Sequence, residues 1–215
     1  MGSTMKSPLR PFIALVAAMA LLLGACGDGV DDSSADNGTT AGGAEFVEEY
    51  TALNGQRTRS GASYLDVDLP TDHIFEYAEE DEIRQLLEDG DGVIYFGFPS
   101  CPWCRNAVGP LDEAGKAADL EQINYVNPSS MREQAGSNEY YQLLLAELGE
   151  LAPEHPQRPG QRTILVPLVA TVVDGDVVAA HLGSAPSQTD PSQALTESQR
   201  AELLEIYSSH FSQIP

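Results

Sequence analysis

Apolar residues recur at two spacings along this chain, and those spacings lay out its elements. Phe46, Val47, Tyr50 and Leu53 fall at helical spacing and stop at Asn54-Gly55, which predicts a helix closed by glycine. Residues 56–63 are polar and read as loop. Residues 64–69 alternate apolar with acidic side chains, the pattern of an edge strand, and Pro70 ends it. Residues 73–77 read as a strand. Ile83, Leu86 and Leu87 form the apolar face of a helix ending near Gly90. Residues 93–98 are almost continuously apolar, as in a strand buried on both faces. A helix carrying Val108 and Leu111 follows, then a strand at 123–126. Tyr140, Tyr141, Leu144, Leu145 and Leu148 predict a further helix, and 153–160 is a proline-rich loop. Residues 163–166 and 168–173 flank Pro167, and Asp174-Gly175 turns the chain into 177–182, so these strands close as a hairpin. The last helix starts at Thr196, with Gln199 three residues on as a capping box and Leu203, Leu204 and Tyr207 on its apolar face. The order is βαβαβ followed by αββα. It predicts an α/β fold with a central mixed sheet, helices on both faces and a terminal antiparallel hairpin.

The first 26 residues follow another logic. Lys6 and Arg10 precede an apolar run over 12–23, and Leu23-Gly24-Ala25-Cys26 comes next. Charge, apolar core and small residues in that order define an export signal, and the run is short of the roughly 20 residues a spanning helix needs. The tetrapeptide resembles the bacterial lipobox, which makes Cys26 a lipidated first residue of the mature chain; ordinary secretory cleavage is the simpler alternative. Acyl chains on Cys26 would hold the protein stably on a membrane. Residues rich in Gly, Asp, Ser and Thr then read as a flexible tether. The expected organisation is signal 1–25, tether 26–44, N-terminal extension 45–72 and main domain 73–215.

Charge narrows the partners. Removing Lys6 and Arg10 leaves nine Lys plus Arg against 33 Asp plus Glu, a formal charge of −24. Such a surface disfavours nucleic acid and anionic membrane surfaces. The same acidity also serves plain solubility.

With Cys26 assigned to the signal, Cys101 and Cys104 have no competitor for each other. They end the run Gly92-Val93-Ile94-Tyr95-Phe96-Gly97-Phe98-Pro99-Ser100-Cys101-Pro102-Trp103-Cys104. A helix starting there aims orphan N–H groups and partial positive charge at the first sulfur, which favours thiolate. The second sulfur, one turn on, is placed to attack a mixed disulfide. Two cysteines cannot make an all-cysteine zinc site, and His73, His155, His181 and His210 lack ligand-like spacing, so no metal is expected. Inert buried thiols are the plainer reading of the pair; Ser100 and Pro102 beside the sulfurs argue against it.

The element order, the Cys-x-x-Cys after the second main-domain strand and Val166-Pro167 before the hairpin resemble the thioredoxin-like family over about residues 73–210. The run from Phe98 to Cys104 is also similar to thioredoxin-like lipoproteins of Gram-positive bacteria. The resemblance implies an exposed attacking Cys101, a buried resolving Cys104 and a cis-proline at Pro167 beside the pair. It also implies that Val166 offers its backbone to an extended polypeptide, with Trp103 as a contact surface for that partner. Arg105, next to Cys104, is a candidate source of positive potential, or simply a solvated side chain. Departures from thioredoxin are Tyr95 where a buried acid stands, Pro-Trp in place of Gly-Pro, and a helix proline shifted by one residue to Pro110.

The expectation is therefore a thiol–disulfide oxidoreductase without a cofactor, lipid-anchored on the extracytoplasmic face of the cell membrane. Its substrates are protein thiols and disulfides, with a membrane redox partner as a further associate. A non-catalytic binding lipoprotein on the same scaffold is the alternative. A peroxidase ranks lower, because its cysteine motif differs.

Overall fold

The computed structural model describes residues 40–215. The signal segment, Cys26 and most of the tether lie outside them.

Five strands form the central sheet: β1 (Phe75–Tyr77), β2 (Gly92–Phe96), β3 (Ile123–Val126), β6 (Leu168–Val173) and β7 (Asp176–Leu182). Their spatial order is β1-β3-β2-β6-β7. β1, β3 and β2 run parallel, and β6 and β7 are antiparallel to their neighbours. Alternation along β2 divides the core. Val93 and Tyr95 face one side, with Phe75, Ile123, Tyr125 and Val169; Ile94 and Phe96 face the other, with Leu168, Ala170 and Val172. Both sides are buried, which explains why β2 reads as an unbroken apolar run.

Helices α1 (Ala41–Thr51), α3 (Pro102–Ala117) and α6 (Glu197–Phe211) supply Phe46, Tyr50, Leu111, Tyr207 and Phe211 to the first side. Helices α2 (Glu80–Asp89) and α5 (Glu139–Glu147) supply Ile83, Tyr141 and Leu144 to the second. This is the mixed sheet covered on both faces that the element order predicts. Together with a Cys-x-x-Cys at the start of the helix after β2, it makes the fold thioredoxin-like. The capping box at Thr196 and Gln199 is formed. Asp174 and Gly175 both have positive φ, 50° and 83°, as a tight two-residue hairpin turn requires.

Five stretches differ from expectation. Residues 64–69 are irregular, because side chains take the place of a strand partner. The Asn54 amide brackets Val67, donating to its carbonyl at 2.8 Å and accepting from its N–H at 2.9 Å. Asp66 accepts from the Gly55 N–H, and Arg105 donates to the Leu65 carbonyl. Residues 163–166 also join no strand: the Ile164 N–H donates to the Tyr141 hydroxyl at 3.0 Å, and its carbonyl accepts from Arg132. The proline-rich loop contains a two-stranded ribbon, β4 (Glu154–His155) and β5 (Arg158–Arg162), and a short helix α4 (Ser129–Glu133) precedes α5. Finally, α1 opens at Ala41, capped by the Thr40 hydroxyl, so the last residues read as tether belong to a helix. Among the described residues no helix is long and apolar enough to cross a membrane.

Candidate active site

The strand β2 delivers the chain to the turn at 97–101, and α3 begins at Pro102, where a missing N–H costs nothing. Cys101 is the N-cap of α3. Its sulfur does the work a Ser or Asp oxygen does elsewhere, accepting the Cys104 backbone N–H at 3.2 Å. The thiol of Cys101 also donates toward the Val166 carbonyl at 3.9 Å. The Val166–Pro167 peptide is cis, Val166 is half-buried and Pro167 is buried. Chain segments 65 residues apart in sequence therefore meet at one sulfur.

Both cysteines are free thiols. Cys101 keeps 6% of its surface open and Cys104 none. Cys101 is thus more enclosed than the exposed sulfur the resemblance implies. Its seat as a helix cap and the approach of Val166 leave one narrow edge to solvent.

The two sulfurs are driven apart in acidity. A hydrogen bond from the Cys104 thiol, then the N–H groups of Cys104 and Trp103, hold the Cys101 pKa below its ordinary value against the opposing effect of burial; the charge of Arg132 adds to this. Burial, then the Cys101 sulfur, push Cys104 well above the ordinary thiol value. One thiolate beside one thiol is the state in which Cys101 attacks first.

Tyr95, at the position of the missing acid, is wholly buried and lies 2.8 Å, hydroxyl to hydroxyl, from Tyr50 of α1. Its hydroxyl also pulls the Cys104 pKa down, against the larger upward push of burial. Room for this comes from Gly97: a Cβ at that position would lie 2.5 Å from the Tyr95 ring and hydroxyl. Burial raises both phenols well above the usual tyrosine value, so they act as hydrogen-bonding groups and not as anions.

Arg105 is not a solvated side chain. It is 4% exposed, and its guanidinium donates to the carbonyls of Leu65, Tyr50 and Pro99 and to the Asn54 side chain. It binds the extension to the active-site turn. Arg132 of α4 is the arginine that bears on Cys101. Trp103 is half-buried and packs, as Phe98 and Val166 do, against the core cluster that contains both cysteines.

The pair, Val166, Pro167 and Trp103 are thus brought together. Tyr50 and Arg132 were missed. Tyr50 reads only as one apolar position of an amphipathic helix, and nothing near Arg132 in sequence links it to a cysteine 31 residues away.

No protein-family model matches the chain, and no curated protein matches it. Among solved structures, it is similar to the solution structure of desulfothioredoxin from Desulfovibrio vulgaris Hildenborough in its reduced form. Identity is 23%, the match covers 63% of this chain and 96% of that one, and the TM-score is 0.35.

Proposed function

We propose that this protein is a thiol–disulfide oxidoreductase working outside the cytoplasm on protein substrates, held to the membrane by lipid on Cys26. The observation that carries the reading is the asymmetry of the pair: an acidified Cys101 at a helix N-cap, one turn from a buried, protonated Cys104.

In the reducing direction, the Cys101 thiolate attacks a substrate disulfide. A Cys101–substrate S–S bond forms, the substrate S–S bond breaks, and the released thiolate takes a proton from water. Cys104 then loses its proton and attacks the Cys101 sulfur. The mixed disulfide breaks, the second substrate thiol leaves, and the Cys101–Cys104 disulfide remains. Two electrons pass to the substrate; the reverse sequence oxidises a dithiol.

The test is the redox potential of the mature chain, equilibrated with defined thiol buffers. About −270 mV marks a reductant and about −120 mV a strong oxidant. Absence of a reversible couple overturns the reading in favour of a non-catalytic binding scaffold. Cys104→Ser should accumulate mixed disulfides with substrate, because the resolving sulfur is gone. The anchor is tested separately: Cys26→Ser should shift the protein from membrane to soluble fraction and abolish labelling by fatty acid.

A further inference from the structure

One cleft opens beside the active-site turn, next to the residue before Cys101, and the β4–β5 ribbon bounds its other side. Phe98 and Ser100 form its near wall, and Arg132 of α4 and His155, Arg158 and Arg162 of the ribbon are among the residues lining the remainder; its volume is about 390 Å³. That is toward the low end for ligand pockets, which run about 300–1,000 Å³.

Its charge is opposite to that of the molecule. Three of the nine cations after Cys26 line it, in a chain with 33 acids. The four ion pairs among the described residues use Arg84, Lys116 and Arg200, so none of these three is neutralised by a paired carboxylate. Glu133 is the one acid on the cleft wall, and it is exposed. Arg132 lies over the Phe98 ring at 5.5 Å and donates to the Ile164 carbonyl, while its buried Nε has no partner. Arg162 donates to the Ala152 carbonyl at 2.8 Å. Arg158 is exposed and makes no side-chain bond. Backbone carbonyls fix two guanidiniums in place without removing their charge. In saline the remote acids are screened beyond about 10 Å, so a ligand inside the cleft meets the local cations first.

From these observations we infer that the cleft is a substrate-specificity subsite, which seats an Asp or Glu side chain of the polypeptide whose disulfide Cys101 attacks. The inference rests on the oxidoreductase reading and adds the substrate class to it. Segment 164–166 connects the two places: Ile164 is bonded to Arg132, and Val166 faces the sulfur. An extended peptide beside this segment advances about 3.3 Å per residue, so the acid falls within about two or three residues of the substrate cysteine.

The test uses the reduced full chain and three disulfide peptides, identical except that two residues near the cysteine are Glu, Gln or Lys. Rates are followed by Trp103 fluorescence at about 0.15 M and about 1 M salt. The Glu peptide should react roughly tenfold faster than the Lys peptide at about 0.15 M, where the remote acids are screened but the cleft is not, and about 1 M salt should shrink the ratio. Arg158→Glu should lower that ratio at least about fivefold, with Arg158→Gln intermediate. Arg59→Glu, which changes net charge equally at an exposed site away from the cleft, should leave the ratio as it was. Equal rates for Glu and Lys peptides, or equal ratios in Arg158→Glu and Arg59→Glu, overturn the subsite alone. Failure of all three peptides to react overturns the oxidoreductase reading and the subsite with it.

Discussion

Cys101 and Cys104 are chemically alike in sequence, and their surroundings make them different. The reactive sulfur is a helix cap, so the N–H groups that a helix leaves unsatisfied stabilise its charge. Because this acidity is enhanced by folding, alkylation of Cys101 should rise through a midpoint below the ordinary thiol value of about 8.5. By the same linkage, the lowered pKa adds stability to the reduced protein at alkaline pH. That contribution is lost as pH falls through the folded-state value. Alkylation midpoints at or above 8.5 would refute the assignment. Tyr95→Phe removes the hydroxyl that meets Tyr50 and lowers the Cys104 pKa. Release of the mixed disulfide should slow while first attack by Cys101 keeps its rate, as stopped-flow kinetics would separate. Stability should fall by about 1–3 kcal/mol, because the Tyr50 hydroxyl is left unpaired in the core. Arg105 differs in kind: its cost would be structural. Arg105→Gln should destabilise by about 3 kcal/mol in urea unfolding, since several buried carbonyls lose a charged donor together.

Elements set the distances among these residues. β2 aims the turn, α3 caps itself on Cys101, and the segment before β6 brings Val166 to the sulfur. α1 does more than extend the chain. Phe46 stacks on Phe75 at 4.3 Å between ring centres and meets Tyr125 edge-on at 4.8 Å, and Tyr50 reaches Tyr95. Glu49 secures the same helix by accepting from Tyr125 at 2.8 Å and Asn127 at 2.6 Å. Phe46→Ala should therefore cost about 3–5 kcal/mol in denaturant unfolding, as for a core aromatic. A cost near zero would mean that α1 is dispensable. Periodicity reveals α1 as amphipathic, but it cannot reveal what its apolar face covers. The irregular stretch at 64–69 shows the converse limit. Its alternating pattern suits an edge strand, yet side chains of Asn54 and Arg105 satisfy its backbone, and Asp66 reaches out to the Gly55 N–H.

At the scale of the molecule, buried phenols shape the response to alkaline pH. Tyr50, Tyr95, Tyr125 and Tyr207 all have raised pKa values, with burial as the first cause. The unfolded chain ionises its tyrosines near pH 10 while the folded chain keeps these neutral. Stability is then full below that pH and falls as pH rises above it. Phenolate absorbance and circular dichroism should change together in one cooperative alkaline step. Buried phenols titrating near pH 10 with the fold intact would contradict this.

What the sequence determined by itself is whatever depends on local periodicity and local chemistry: the α/β order, the buried run of β2, the hairpin turn at Asp174-Gly175, the capping box of α6 and the Cys-x-x-Cys at a helix start. Those signals are legible because the residues that create them are neighbours in the chain. Tertiary structure decided what depends on meetings across the chain. It joined Tyr50 to Tyr95 across 45 residues and Cys101 to Val166 across 65, turned Arg105 into an internal brace, and gathered Arg132, Arg158 and Arg162 on one cleft. No spacing records such encounters, because the sheet order and the helix faces bring those residues together only once the core has formed.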